Sequence, residues 1–596
     1  MKQLTKNTVD LHIHDGHNSS LLVSDAKTGN ILFGANEERY THKKNQSGFP
    51  INSLKKSQEY LNFSFEDIQG VFYSSRTEPY LPTKTNSDLF RYLFLTLSPF
   101  LSKYFFTNKL ISNFYKKISH LFRRKDSKKT LRDLGISTKN IQFYDHHYCH
   151  AASTISFLQS TPTKDVLIFT LDGSGDLSSG SIFIFNSGKL RIIERIHSLD
   201  SLGEIYSQAT GLLNMKPLEH EYKLMGLAPY CKKEYAEKVY EILVKKVIKI
   251  SKDKKGRTVF KSRKGLFGIP LRKHLGKELS GYRFDAIAAG IQLLVEKVVT
   301  QWIIDWINST QINDIAISGG VFMNVKLNKL IAELPEVKKL TVVPSSGDES
   351  LVFGSLVASY LKNKFKLRNM SDYYNQGSKN GLLIGNSYSP NEVKIAIKDY
   401  ESQNKSHEIN LFSGEEIQNK IIDLLIVGKV GARFCGRMEF GARSLGNRSI
   451  ICSPRDIKQI RIINEAIKSR DFWMPFAPVI LDKYSCDYLK IKSNQINSYE
   501  FMQIAADSKE FFIENAPASI HPYDMTSRPQ ILRKEINSDF YDLIEKFKER
   551  TNVGCLLNTS FNLHGYPVVE SPTDALEVFF NTGIDFLILE NNLLIK

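Results

Sequence analysis

The chain has 596 residues, enough for two or three domains. Its hydrophobic fraction of 42% is ordinary for a globular protein in water, and its formal net charge of +17 calls for anionic partners. Nucleic acid is one explanation of this charge, but we find no recognition module for it and no strand pattern of interleaved aromatic and basic residues. Small anionic substrates are the other explanation.

Targeting signals and disulfide bonds are not expected. The first 20 residues turn polar before an apolar core forms, which is unlike a secretory signal. The apolar stretch YLFLTLSPFLS at 92–102 is about half as long as a membrane-spanning helix. Six scattered cysteines indicate reduced thiols, and together these features predict a cytoplasmic protein.

Two stretches of the first half share one pattern. HDGHNSS at 14–20 precedes the apolar run LLVS, the turn DAKTGN and the strand ILFGANEE, and LDGSGD at 171–176 precedes two further strands joined by NSGK. Each copy is a polar turn with small residues that leads into a β-hairpin, and such turns expose N–H groups that suit a phosphate. The repetition predicts a duplicated α/β fold of the actin-like ATPase (ASKHA) class, with nucleotide between two similar halves.

A basic segment follows, in what we take to be an insert at about 80–135. Apolar residues recur there at helical spacing with lysines and arginines between them, namely Leu110, Ile111, Phe114, Tyr115, Ile118, Leu121 and Phe122. The pattern predicts a helix packed on the main domain. The alternative is a basic amphipathic helix at 103–125 that makes peripheral contact with an anionic membrane.

The segment YDHHYCHAAS at 144–153 holds three histidines within five positions. If it is helical, His146 and His150 lie on one face and can share a divalent ion. Two histidines do not complete a site, so a carboxylate from elsewhere is expected as a third ligand. Cys149 is a less favoured ligand, because its position is off the shared face.

Two strand–loop–helix patterns come next. In IAISGGVFMNVKLN at 315–328, Gly319 and Gly320 would permit close approach of the backbone to a nucleotide. In LTVVPSSGDESLVFGSLVASYL at 340–361, Asp348 is the candidate for the missing metal carboxylate. Its alternative role is the N-cap of the helix that follows.

The chain turns polar between about 365 and 405, which places a domain boundary near 380. The predicted domains are therefore residues 1–380 and 381–596, the second being a mixed α+β unit. Its stretch RFCGRMEFGARSLGNRSIICSPRD at 433–456 mixes arginines with glycines, and guanidinium groups match phosphate and carboxylate oxygens. An anion pocket is predicted there.

Long motifs in this order resemble the NodU/CmcH-type O-carbamoyltransferases, a family that includes an aminoglycoside carbamoyltransferase. The matching stretches include HDGHNSS, FGANEERYTHKKNQSGFP, DHHYCHAAS, LDGSGD, EYKLMGLAPY, SGGVFMN, SSGDES, GRMEFGARSLGNRSI, INEAIKSRDFWMPFAP, TSRPQ and LNTSFNLHGYPVVESPTDA. The resemblance covers nearly the whole chain and is weakest in the insert.

The resemblance implies two sites. A C-terminal YrdC-like domain would use ATP with Mg²⁺ to convert carbamoyl phosphate into carbamoyl adenylate. The N-terminal actin-like domain, with one divalent metal that is usually Fe²⁺, would transfer the carbamoyl group to a hydroxyl of a saccharide or natural product. No nucleic acid partner is implied; the acceptor, the metal and the oligomeric state, with a homodimer as one candidate, stay open.

The resemblance also assigns residues. His146, His150 and Asp348 would hold the metal, and His17 would deprotonate the acceptor with His14 and Asp15 beside it. Asn18 stands where the family commonly has aspartate, and Asp15 is a candidate substitute. Lys223, Gly319, Gly320, Asn324 and Asp172 would contact the adenylate. The ligands of carbamoyl phosphate and ATP would be Arg437, Arg443, Asn447, Arg448, Lys468, Arg470, Arg528, Asn558 and Ser560.

Three other functions remain in view. An actin-like sugar or acid kinase would explain the paired hairpins but would leave the arginine-rich domain without a task. A threonylcarbamoyl-type tRNA-modifying transferase would fit the positive charge. A basic peripheral membrane protein that uses ATP as a switch is supported by the segment 103–125 alone.

Overall fold

The structure is a computed structural model. It describes residues 8–77, 109–159, 162, 164–363, 379–403, 410–413, 417–468, 471 and 473–596. The apolar stretch 92–102, the first part of the predicted insert and Arg470 lie outside these residues, and so does the side chain of Lys468.

The chain divides into two compact units. The first comprises Met1–Leu32, Ser47–Ile51 and Leu61–Gln376, and the second comprises Phe33–Gln46, Asn52–Tyr60 and Gly377–Lys596. The sequence analysis assigned all of residues 1–380 to the first domain, whereas most of the segment 33–60 clusters with the second unit. A strand and two short helices (Glu38–Thr41 and Ile51–Leu61) occupy that segment, and their relation to the second unit depends on contacts between residues hundreds of positions apart.

Two sheets share one topology, and their strands belong to the first unit apart from residues 33–36, which cluster with the second. The strands of the first sheet are β1 (Val9–His14), β2 (Ser20–Asp25), β3 (Ile31–Asn36), β4 (Ile68–Tyr73) and β5 (Ile141–Phe143), in the order β3-β2-β1-β4-β5. β1 runs antiparallel to β2 and parallel to β4, and β4 runs parallel to β5.

The second sheet repeats this plan. Its strands are β6 (Val166–Gly175), β7 (Ser178–Asn186), β8 (Lys189–His197), β11 (Asp314–Ser318) and β12 (Lys339–Val342), in the order β12-β11-β6-β7-β8. The first three are antiparallel neighbours, while β11 pairs parallel with β6 and with β12. The duplicated α/β architecture predicted from the two hairpins is confirmed. A separate ladder joins β9 (Ile248–Lys252) to β10 (Thr258–Ser262).

The described helices of the first unit pack around these sheets. They are Lys109–Asp133, His146–Ile155, Leu202–Leu212, Glu221–Leu227, Lys233–Lys246, Gly268–Glu278, Phe284–Thr310, Val325–Glu333 and Leu351–Asn363. We call Lys109–Asp133 the insert helix and His146–Ile155 the histidine helix. The histidine helix packs against Leu351–Asn363 at Gly354, where an added Cβ would meet the carbonyl oxygen of Cys149 at 1.9 Å.

The insert helix confirms that part of the insert is helical, but it packs through a different face. The buried residues in its described half are Ser119, Arg123, Ser127 and Leu131, spaced four apart. Leu121 and Phe122, which the sequence analysis placed on the apolar face, are 66% and 38% exposed. That assignment is wrong for these two residues, because from residue 119 onwards the helix buries a mainly polar stripe, in which one arginine has a carboxylate partner. The side chains of residues 109–118, which carry the other predicted apolar positions, lie outside the described part of the chain.

The sequence analysis overlooked one long apolar helix. Phe284–Thr310 is long and apolar enough to cross a membrane, with a mean hydropathy of 1.4 in its most apolar window, yet 67% of that window is buried inside the protein. Trp302 and Trp306 lie in the core. Buried core helices can be as long and as apolar as this one, so its length and hydropathy are weak evidence for a membrane span.

The second unit is built on a mixed sheet of eight strands. They are β13 (Asn410–Ser413), β14 (Gly431–Phe434), β15 (Arg448–Cys452), β16 (Ala477–Leu481), β19 (Gln530–Leu532), β20 (Cys555–Ser560), β21 (Phe586–Leu589) and β22 (Asn592–Ile595), in the order β13-β22-β21-β14-β15-β20-β16-β19. β17 (Ala506–Asp507) and β18 (Thr526–Ser527) form a small ladder.

Helices cover this sheet. They are Pro390–Gln403, Ile417–Ile426, Lys458–Ile463, Ser485–Tyr488, Glu510–Asn515, Ser538–Thr551 and Pro572–Phe580. Phe434, Leu557 and Leu587 from the strands meet Phe579 in a buried apolar cluster. The loop between β14 and β15 carries Arg437 and Arg443 of the predicted anion ligands, and Arg448 is the first residue of β15.

Candidate active site

The histidine helix presents two of its three histidines to one point. Asp145 caps the helix by accepting a hydrogen bond from the Tyr148 N–H, so the helix begins at His146. His146 and His150 then lie one turn apart with ring centroids separated by 4.8 Å, as predicted. His147 faces elsewhere: its two ring nitrogens contact the Thr170 hydroxyl at 2.9 Å and the Ser178 carbonyl at 3.0 Å.

Two aspartates complete a cluster of four side chains. One ligand atom from each of His146, His150, Asp172 and Asp348 lies within 4.8 Å of all the others. The Nε2 atoms of both histidines are 3.2 and 3.3 Å from Asp172 Oδ2, and both are 3.5 Å from Asp348 Oδ1. Two imidazoles and two carboxylates are donors that suit zinc, iron or manganese, so the residues fit a divalent metal.

The electrostatics of the cluster favour an ionised Asp172. Burial raises the pKa of Asp172, but hydrogen bonds from His146 and His150 outweigh it and hold this pKa well below its usual value. Burial lowers the pKa of His150, and its bonds to the two aspartates reverse that effect and raise it. The pKa of His147 falls to about 3 through burial and the neighbouring histidines, so this ring is neutral.

Asp172 was predicted to contact the adenylate, and its place among the histidines was missed. Its other oxygen, Oδ1, accepts hydrogen bonds from the N–H groups of Gly173 at 2.7 Å and Gly320 at 3.3 Å. Gly319 has a φ of +111° and lies so close to Leu171 that a Cβ would be 2.4 Å from its carbonyl oxygen. The glycine turn predicted for a nucleotide therefore supports Asp172 directly. The parallel pairing of β6 with β11 brings these residues together.

The loop at 14–18, which we call the catalytic loop, lies beside the cluster. His14 contacts the Ser74 hydroxyl and the His17 carbonyl, each at 3.0 Å, and its Nε2 atom is 3.8 Å from Asp348 Oδ2. Burial, followed by the charge of His146, holds the pKa of His14 well below its usual value. The ring of His14 is thus neutral and both of its nitrogens are engaged. His17 is half-buried, and its role as a base stays a prediction.

The carboxylates near His17 differ from expectation. Asp15 does not offer a free carboxylate, since Arg123 donates to both of its oxygens, with Nη1 to Oδ2 at 2.7 Å. Asn18 instead donates from Nδ2 to Glu349 Oε2 at 3.3 Å. Glu349 is 1% exposed and was not singled out from the sequence, although it directly follows Asp348.

Two other predicted adenylate contacts lie on helices. Asn324 caps the helix Val325–Glu333 and exchanges hydrogen bonds with Gln292, the donor Nδ2 lying 2.8 Å from Gln292 Oε1. Lys223 lies half-buried on the helix Glu221–Leu227. Their nucleotide contacts stay predictions.

In the second unit, two predicted anion ligands are directed at backbone carbonyls. Arg448 is fully buried, stacks on the Phe434 ring at 3.5 Å and donates to the carbonyls of Cys435 and Gly436. Burial lowers its pKa. Arg437 donates to the Gly385 carbonyl at 2.8 Å. Both arginines brace the loop that the sequence assigned to anion binding.

Other predicted ligands lie around the same loop. Glu439, which the sequence analysis did not single out, accepts from the N–H groups of Leu445, Asn447 and Arg448 and fixes the loop's turn. The Asn447 amide donates to the Arg437 carbonyl, and Asn558 donates to the Ser444 carbonyl and to Gln530.

The remaining predicted ligands differ in their hydrogen bonds and in their burial. Ser560 donates to Asn562 at 2.8 Å, while Arg443 and Arg528 are half-buried. The role of Arg443 and Arg528 in binding an anion stays a prediction. The position of Lys468 on a helical turn is described, but its side chain and Arg470 are not.

Comparisons with known proteins agree with this two-unit organisation. The family model described as Carbamoyltransferase N-terminus matches residues 9–357, and Carbamoyltransferase C-terminus matches residues 422–596. The uncharacterized protein MJ1051 of Methanocaldococcus jannaschii is 31% identical over 98% of this chain and 99% of its own.

Relatives whose names state a function are more distant. The nodulation protein NolNO of Sinorhizobium fredii is 26% identical over 100% of this chain and 81% of its own. The 3'-hydroxymethylcephem-O-carbamoyltransferase of Amycolatopsis lactamdurans is 22% identical over 76% of this chain and 80% of its own. Because the N-terminal model alone covers more than half of the chain, the protein belongs to the carbamoyltransferase family.

Proposed function

We propose that this transferase is an ATP-dependent O-carbamoyltransferase. Carbamoyl phosphate would lose its phosphate to water, and the resulting carbamate oxygen would attack the α-phosphorus of ATP and release pyrophosphate. The carbamoyl group of this adenylate would then pass to an acceptor hydroxyl, and AMP would leave. The observation that carries the proposal is the convergence of His146, His150, Asp172 and Asp348 beside the catalytic loop, in a chain that both family models match.

The first unit is assigned the transfer step. His17 would accept the hydroxyl proton on a ring nitrogen, and His14 would hold the loop through its bond to the His17 carbonyl. A divalent metal held by the four-residue cluster would supply positive charge to the phosphate of the adenylate. The carboxylate contacts of His150, and its bond to Ser318 at 3.2 Å, keep its ring oriented.

The second unit is assigned the activation step, as a YrdC-like domain. Its support is the loop at 436–448, which Glu439, Arg437 and Arg448 hold by their backbone contacts. A loop braced in this way can present Arg443 and N–H groups to phosphate oxygens without reorganising. Arg528 is assigned to the same anion.

The acceptor is assigned to the hydroxyl-bearing saccharides or natural products. The name of the Amycolatopsis relative states a hydroxymethyl acceptor for that protein. For this chain the sole support is the half-buried His17, a base suited to an alcohol with a pKa far above neutrality.

The test is ATP–pyrophosphate exchange with and without carbamoyl phosphate, with no acceptor present. We expect exchange that depends on carbamoyl phosphate in the wild type and in His17→Ala, and a loss of about 100-fold in Arg443→Ala. Arg455→Ala is the matched control, because Arg455 is exposed in the same unit. Absence of exchange that depends on carbamoyl phosphate would overturn the proposal, and formation of ADP without pyrophosphate would favour an actin-like kinase.

A further inference from the structure

The insert helix reaches the catalytic loop through one buried arginine. Arg123 is 4% exposed, and its two terminal nitrogens donate to the two carboxylate oxygens of Asp15. A two-pronged bond of this kind fixes the orientation of both groups as well as their separation. Asp15 lies between His14 and His17 in the sequence, so the arginine acts on the segment that carries the proposed base.

Apolar walls make this ion pair hard to replace. The guanidinium carbon of Arg123 lies 5.2 Å from the centre of the Tyr73 ring and 5.9 Å from that of Phe143. Either charge left alone in such surroundings would be costly, because a buried ion without its partner keeps the whole desolvation penalty. Loss of either side chain should therefore break the link between the insert helix and the catalytic loop.

A second set of contacts runs from the same helix to the histidine helix. A ring nitrogen of His120 lies 3.2 Å from the Arg76 carbonyl. The N–H groups of Arg76 and Thr77 both donate to Asp176, which also accepts from the His146 N–H at 2.8 Å. The residues that follow β4 thus connect the insert helix with the start of the histidine helix.

We propose that the insert helix is part of the transfer site and that Arg123 is a positioning residue, which acts through Asp15 to fix the catalytic loop. The role of His17 in this statement rests on the proposed function, while the link between helix and loop does not. Asp15 serves as the anchor for Arg123, and it does not supply the carboxylate that Asn18 lacks. An element with the weakest family resemblance would in this way govern how an acceptor hydroxyl meets His17.

The test is hydrogen–deuterium exchange of the full chain, followed in peptides that cover residues 11–20. We expect Arg123→Ala to speed exchange there about tenfold, since the loop loses its anchor. Arg124→Ala is the matched control: Arg124 is exposed on the same helix, and its exchange should equal that of the wild type. Asp15→Asn should reproduce Arg123→Ala, and the double variant should add little because the two side chains act as one unit.

Chemical rescue separates positioning from general destabilisation. Guanidinium chloride, at a concentration that leaves Arg124→Ala unchanged, should restore slow exchange in Arg123→Ala. Unchanged exchange at 11–20 in Arg123→Ala would overturn the proposal, as would a uniform rise over both units. Pyrophosphate exchange that depends on carbamoyl phosphate should persist in Arg123→Ala. If the wild type shows no pyrophosphate exchange that depends on carbamoyl phosphate, the proposed function is rejected. The hydrogen–deuterium exchange at residues 11–20 then decides by itself whether Arg123 links the insert helix to the catalytic loop.

Discussion

Several charged residues of the candidate sites make contacts within the protein that their residue types do not predict. Asp172 turns one oxygen to two histidines and the other to two backbone N–H groups. Arg448 and Arg437 have charges suited to phosphate, yet they donate to carbonyls. Whether a charged residue can bind a ligand therefore depends on the hydrogen bonds that its atoms already make within the protein.

Asp172 is expected to be a metal ligand. Asp172→Asn should weaken Co²⁺ binding at least tenfold, since the change removes one of two carboxylates while keeping the shape of the side chain. Titration of the metal-free protein followed by the visible absorption of Co²⁺ measures this. Asp133→Asn, at an exposed carboxylate, is the control. Equal Co²⁺ affinity in the two variants would remove Asp172 from the site.

Glu500 is expected to make stability depend on pH. Burial raises its pKa from 4.5 to about 7, against the opposing effect of Arg533 at 3.0 Å. Between these values the folded state holds one more proton than the unfolded state, so stability falls as pH rises through this window and stays level above it. The gain in unfolding temperature from Glu500→Gln should therefore be larger at pH 8 than at pH 5.

The control for this effect shares the same arginine. Glu535 also pairs with Arg533, at 2.9 Å, but its side chain is 63% exposed. Glu535→Gln should change the unfolding temperature by the same small amount at both pH values. A Glu500→Gln effect that does not vary with pH would show that the folded carboxyl titrates normally.

At the scale of elements, the positions of the histidines depend on how two helices pack. The histidine helix crosses Leu351–Asn363 where Gly354 lies against the Cys149 carbonyl. The same second helix follows Asp348 directly, so one helix pair sets the distance between a carboxylate and two imidazoles. Close approach here is a requirement of the site as well as of the core.

Gly354→Ala is therefore expected to damage both stability and metal binding. Its Cβ would be 1.9 Å from an oxygen of the histidine helix, so the helices must separate, at a cost of about 1–3 kcal/mol in the free energy of unfolding. Denaturant unfolding and Co²⁺ titration measure the two effects. Gly276→Ala is the control, because its nearest neighbour is the end of a flexible Leu212 side chain at 3.2 Å. Tight Co²⁺ binding in Gly354→Ala would contradict this account.

At the scale of the whole molecule, the two candidate sites lie in different compact units. The histidine–aspartate cluster and the catalytic loop belong to the first unit, and the loop at 436–448 belongs to the second. The family models divide the chain in the same sense, at 9–357 and 422–596. If each proposed half-reaction uses its own unit, variants in one unit should leave the reaction of the other unit unchanged.

The sequence by itself determined the features that depend on local spacing. The four-residue interval of His146 and His150, the two hairpins and the glycine turn at 319–320 follow from periodicity and turn chemistry, which act over a few residues. The motifs also determined the family, and the models confirm it. Asp348 could be named because a lone aspartate in a loop before a helix stands out.

Only the tertiary structure decided which distant groups satisfy each charge. Asp172 accepts a hydrogen bond from the Gly320 N–H because β6 pairs in parallel with β11, and the pairing of strands some 150 residues apart leaves no local signal in the sequence. The sequence placed Arg123 among the basic residues of a helix predicted to pack on the main domain, and only the fold shows that Asp15, 108 positions away, is its partner. Burial and long-range pairing set the energy of an ion, and both are properties of the folded chain.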